Sequence, residues 1–161
     1  MSDFSSVSAY QSFLYSLPER YPSIQQSSLA YIPTGKRFGR VEGMLFFMPD
    51  LVLCIQEFLN FELGVIEVYG YEVSRTRKSF NDPSFPTTSD YCKASYPQKD
   101  KLYWYDSFPH PHIPELASTD PHHKHIPPDI KHNRIPAPDL SFTRPNLPFL
   151  IAEIESLLVA L

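Results

Sequence analysis

Cysteine, positive charge and long apolar runs are all scarce in this 161-residue chain, and each shortage closes off a class of protein. Two cysteines, Cys54 and Cys92, are too few for a disulfide scaffold. Cys54 lies in an apolar run and reads as a buried reduced thiol, Cys92 as a residue of a mobile loop, so no bond between them is expected. Lys and Arg number 14 against 18 Asp and Glu, and the formal net charge of −4 argues against bulk electrostatic binding to nucleic acid, although a local basic patch stays open. No apolar run approaches membrane-spanning length. The opening MSDFSSVSAY has neither a basic n-region nor an apolar h-region, so no secretory signal is read and a soluble, cytoplasmic protein is expected. Glycine is short as well: five glycines stand against seventeen prolines, ten of them beyond residue 108. That imbalance divides a regular first part from a loop-rich second part.

What is present is apolar and aromatic. Hydrophobic residues make up 42% and aromatic residues 14%, enough for one domain, 1–161, with a real core. In residues 6–17, Val7, Tyr10, Phe13, Leu14 and Leu17 recur at helical spacing, with Ser5 or Ser6 as cap and Pro18 as stop. This makes 1–24 a helical region. Strands are expected over 27–33, 38–48, 51–60, 65–75 and 101–106, within a sheet region 25–106. Residues 51–60 are apolar on both faces, which indicates a central strand with both faces covered. Residues 76–100 are polar and irregular, too long for an idle connection, hence mobile or functional. A Pro/His-rich loop is expected over 107–145. Over 146–161, Asn146 offers a cap and Leu147, Leu150, Ile151, Ile154, Leu157 and Leu158 form an apolar helical stripe. Consecutive strands between two helices predict an α+β fold: an antiparallel sheet of about five strands with both helices packed on it.

All six histidines fall between residues 110 and 132. Prolines 109, 111, 114, 121, 127 and 128 run among them, fix the backbone and remove donors, so an extended loop docked on the scaffold is expected. Metal-free RNA cleavage needs a base for the 2′-hydroxyl, an acid for the leaving oxygen and a cation for the developing charge. The run His122-His123-Lys124-His125 offers all three. In an extended backbone His123 and His125 share one face, with His122 and Lys124 on the other. The expected centre is His123 and His125 with Lys124 as electrostatic partner. Tyr71, Tyr103 and Tyr105 would stack bases, Arg75 would meet a phosphate, Asp106 would orient a histidine, and His110 and His112 would support the site. Metal binding by His110, His112, His122, His123 and His125 is a second reading, but no cysteine lies nearby and the spacing matches no established zinc motif. No metal or other cofactor is therefore expected. Histidines that merely bond backbone carbonyls remain open as a third reading. Glu57 and Glu67, on adjacent expected strands, read as a solvated sheet edge, and Trp104 reads as core.

The run Tyr105-Asp106, Pro109-His110-Pro111 and Pro121-His122-His123-Lys124-His125-Ile126 resembles the C-terminal pattern of the TumE-like family of toxin components of bacterial toxin–antitoxin systems. Gly43-x-Leu45-x-Phe47, Gln56-Glu57-Phe58, Tyr69-x-Tyr71 and the acidic closing helix fit the same order over residues 25–158. Two departures are the 76–100 insertion and Ser107, where the family pattern leads one to expect asparagine. The resemblance implies a toxin with a cognate antitoxin, a small DNA-binding protein, and an RNA substrate. It carries over no catalytic set. A non-catalytic interaction module, whose loop docks a partner, is the competing class.

Overall fold

The structure, a computed structural model, describes Phe4 and residues 6–160. The first amphipathic stretch folds as helix α1, Val7–Arg20, capped by Ser6, whose hydroxyl accepts from the Ala9 N–H at 3.0 Å. Ser5, the other expected cap, lies outside the described residues. Pro18 does not stop the helix, which runs on to Arg20. A proline in the last turn forfeits one backbone bond, and the Tyr21 N–H still closes the helix on the Leu17 carbonyl at 2.9 Å.

The sheet is antiparallel throughout and has eight strands where about five were expected. They are β1 Ile24–Ser27, β2 Ala30–Pro33, β3 Phe38–Phe47, β4 Leu51–Asn60, β5 Val65–Thr76, β6 Lys99–Asp106, β7 His123–His125 and β8 Arg134–Pro136. The spatial order is β1-β3-β4-β5-β6-β7-β8, with β2 sharing the outer edge of β3 with β1. The single expected strand 27–33 is broken because the chain steps over β3 at Ser28 and Leu29. Gly43 lies beneath that step with φ +150°, and a Cβ there would stand 2.6 Å from the Ser28 carbonyl oxygen.

The Pro/His-rich segment 107–145 is not a bare loop, as expected, since it contains β7, β8 and a single 3-10 turn at Pro114–Leu116. Its prolines bracket β7 rather than occupy it. Pro121, Pro127 and Pro128 leave the N–H groups of His123, Lys124 and His125 free to join β6 and β8. Pro136 sits on the edge strand, where a missing donor is tolerated.

Helix α3, Leu147–Ala160, packs beside α1 on one face, as expected. Leu150, Ile151 and Ile154 meet Leu14, Leu45, Leu53 and Tyr71 in one apolar cluster. Asn146 precedes α3, but its side chain bonds Ser141 and the Tyr71 hydroxyl rather than the helix N–H groups. Glu57 corrects the sheet-edge expectation: it lies buried under the helices and accepts from the Tyr10 and Tyr71 hydroxyls at 2.5 Å each. Glu67 instead accepts from the Asn60 amide at 2.7 Å. Burial pushes the Glu57 carboxyl above its ordinary range, against the two hydroxyls, which favour the charged form. The folded state therefore holds this proton to higher pH than the unfolded chain does. The associated stability is full below the ordinary glutamate pKa and is lost as pH rises through the raised value. Urea melts at stepped pH should show the advantage of wild type over Glu57→Gln shrinking from pH 4 to pH 8; a constant or growing advantage would refute this.

The opposite face is covered by residues 77–98, which dock on the sheet. Phe80 and Tyr91 are buried against Met44, Phe46 and Val52, with Phe85 and Tyr96 packed beside them. The short helix α2, Thr88–Tyr91, ends beside the sheet, and the Tyr91 hydroxyl meets Ser74 Oγ at 2.7 Å. This anchoring brings Cys92 onto Cys54 with a Cα–Cα distance of 5.9 Å, and the two form a disulfide. The expectation of two reduced thiols is overturned because Cys92 belongs to a docked segment. Reduction should lower the thermal midpoint, since chain entropy for this 38-residue separation suggests roughly 3–4 kcal/mol. A melt and an intact mass that reductant leaves unchanged would count against the bond.

Candidate functional site: an Asp–His–His cluster

The site follows from the pairing of β6 with β7. Trp104 stands opposite His125, Tyr105 opposite Lys124 and Asp106 opposite His123. Strand alternation then sends Trp104, Asp106, His123 and His125 to the face away from α1 and α3, and Tyr105 and Lys124 toward the helices. Asp106 Oδ1 lies 3.0 Å from His123 Nε2 and Oδ2 lies 3.2 Å from His125 Nε2. The two Nε2 atoms are themselves 3.1 Å apart. Behind them, His123 Nδ1 meets the Pro121 carbonyl at 3.1 Å and His125 Nδ1 meets the Ile130 carbonyl at 2.9 Å. A carbonyl can only accept, so each Nδ1 carries the hydrogen.

Both imidazoles are buried, and the Asp106 carboxylate, 30% exposed, forms the open side. The Phe108 N–H donates to Asp106 Oδ1 at 3.0 Å and favours the charged carboxylate against the cost of its partial burial. The Trp104 ring stacks on His125 with centroids 4.2 Å apart, and its Nε1–H donates to Asp106 at 3.3 Å. The His110 ring stands 4.8 Å from that of His123. Burial, then Arg134 and the neighbouring imidazoles, lower the His110 pKa.

Asp106 is among the residues that line an open groove of about 230 Å³ on this face. Gln56, Gly70, Glu72 and Trp104 line it, and Lys101 and Cys92 belong to its wall. The Lys101 ammonium sits 5.2 Å from the Trp104 ring centroid. Beside the groove, Lys99 pairs with Glu72 at 2.5 Å, and burial lowers the Lys99 pKa against that pairing.

The structure brings together only part of the expected set. His123, His125 and Asp106 converge, with His110 beside them. Lys124 lies on the other face, in an ion pair with Glu153 at 3.1 Å and 4.2 Å from the Tyr103 ring centroid. His122 also points helixward, its Nδ1 2.7 Å from the Tyr69 hydroxyl. Tyr71, Tyr103 and Tyr105 are buried in the main core, so they offer no surface for stacking. Arg75 pairs with Asp50 at 3.4 Å at the far end of β5. His112 is exposed, with its ring 5.9 Å from His110. Trp104, expected in the core, is instead a half-buried groove residue. Its alternation with Tyr103 and Tyr105 already places it on the face opposite to theirs.

Fold and cluster together define an α+β protein with a polar site on the sheet face away from α1 and α3. The family model for toxin TumE matches residues 55–158, from β4 to the last turns of α3, and so contains the whole cluster. The chain belongs to the TumE toxin family. Membership supports a toxin role and implies a cognate antitoxin. Searches against curated proteins and against solved structures find no match. Among the described residues no helix is long and apolar enough to cross a membrane.

Proposed function

We propose that this toxin is a ribonuclease whose reacting centre is Asp106, His123 and His125. The observation that carries the reading is the convergence of two buried imidazole nitrogens on one carboxylate that lines an open groove. Imidazole can take the 2′-hydroxyl proton and return one to the leaving oxygen near neutral pH. Trp104 offers a stacking surface for a base and Lys101 a cation for the RNA backbone. Lys124 leaves the set that the sequence suggested, because its ammonium is engaged by Glu153. The antitoxin in this reading is a small DNA-binding protein that blocks the groove. Inducible expression in a bacterial host tests the reading: growth arrest with RNA decay is expected, together with RNA cleavage by the purified chain. Arrest without RNA loss, or no arrest, would leave the cluster a non-catalytic role in docking a partner.

A further inference from the structure

His123 and His125 have each committed the Nδ1 hydrogen to a backbone carbonyl. In the neutral imidazole the other nitrogen is then a bare acceptor. Two such lone pairs face each other across 3.1 Å, and each also faces a carboxylate oxygen at 3.0 or 3.2 Å. Trp104 and Phe108 donate to the carboxylate, but among the described residues no donor reaches either Nε2. Three buried or half-buried acceptors thus point at one place, and a cation there would satisfy all of them.

We propose that Asp106, His123 and His125 bind a first-row divalent transition-metal cation, Zn²⁺ or a near neighbour. Ligand atoms held about 2.0–2.1 Å from one cation lie roughly 2.8–3.4 Å apart across octahedral and tetrahedral geometry. The observed 3.0, 3.1 and 3.2 Å separations fall in that range, the first and last to different oxygens of Asp106, so the carboxylate would meet the ion with both. Two imidazoles and a carboxylate suit such an ion better than Ca²⁺ or Mg²⁺, which prefer oxygen. The backbone carbonyls behind each ring fix tautomer and orientation, as the partners of metal-bound histidines do. Because His123 and His125 sit two apart on one strand, the ladder holds the pair without a loop having to order. Asp106 also lines the groove, so an ion bound to it would be reachable from that side by water or a phosphate oxygen. With an ion bound, neither imidazole would keep a free nitrogen for proton transfer, and water held at the ion would supply the base that the metal-free reading assigns to a histidine. The cation site stands without the ribonuclease reading, whereas its use in cleavage rests on it.

The test strips the full-length protein with EDTA, removes the chelator and titrates with Co²⁺ and Zn²⁺ by visible absorption and calorimetry. One equivalent should bind, with a thermal midpoint that climbs as Zn²⁺ is raised. Asp106→Asn and His125→Gln should each weaken binding at least ten-fold, while His132→Ala, at an exposed histidine paired with Asp129, should change nothing. Circular dichroism checks that the variants are folded; should they not be, the zinc dependence of the wild-type melt decides. No binding by wild type, a melt indifferent to Zn²⁺, or affinity lost only on replacing His110, His112 or His132 would overturn the site. A chain that binds one ion yet cuts no RNA would overturn the ribonuclease reading alone. A chain that binds none and cuts fully in EDTA would overturn this inference alone.

Discussion

His123→Ala and His125→Ala should each slow RNA cleavage by roughly 100-fold or more, the usual scale of an acid–base contribution. Growth arrest should disappear with it. The expectation rests on position: these are the two imidazoles that share the Asp106 carboxylate beside the groove. Lys124→Ala provides the contrast, because Lys124 sits across the sheet with Glu153 and its loss should leave cleavage within a few-fold of wild type. Both histidines are buried, so each alanine also strands a backbone carbonyl, at about 1–3 kcal/mol. Rates should therefore be taken well below each variant's own melting midpoint. Folded variants that cut as fast as wild type would remove the cluster from the chemistry.

Ile154→Asp should unfold the domain or undock α3, costing roughly 3 kcal/mol or more. Ile154 has no exposed surface and lies in the cluster that joins α3 to α1 and to the helix-side face of the sheet. A carboxylate there has no partner to meet, so the chain must protonate it, bury it unpaired or release the helix. Ala152→Asp, on the exposed side of the same helix, serves as control and should shift stability by no more than about 0.5 kcal/mol. Equal midpoints in urea for the two variants would show that the α3 stripe does not carry the fold.

Much of this architecture was legible in the residues, and the misses share a cause. Strands β3 to β6 and helix α3 announce themselves through alternation and the apolar stripe. The separation of His123 and His125 from His122 and Lys124 also follows from an extended backbone alone. β7 was hidden because three residues flanked by prolines look like loop until a neighbouring strand supplies partners. The tyrosines of β5 and β6 looked like an RNA surface, since a single strand does not say which of its faces the helices will cover. Residues 77–98 read as a mobile or functional loop because aromatic residues spaced without period, such as Phe80, Phe85 and Tyr91, give no sign of the face they will cap. The disulfide was unreadable for the same reason. The carboxylate–imidazole partnership of Asp106 was foreseen as a role, but its second histidine and the tautomers emerge only from the atoms behind the rings.

The rungs between β6 and β7 impose an arithmetic of even and odd on any descendant of this chain. Asp106 and His123 face each other across the ladder, and sixteen residues lie between them. That stretch can lengthen or shorten in evolution without moving the cluster, because pairing rather than chain length sets where His123 lands. One residue gained or lost inside β7, against an unchanged β6, is another matter. It would turn the imidazoles toward α3 and present Lys124 to the groove, exchanging the two sides of the sheet in a single step. Variation among related sequences should therefore gather in the connecting segment and spare the parity of the two short strands.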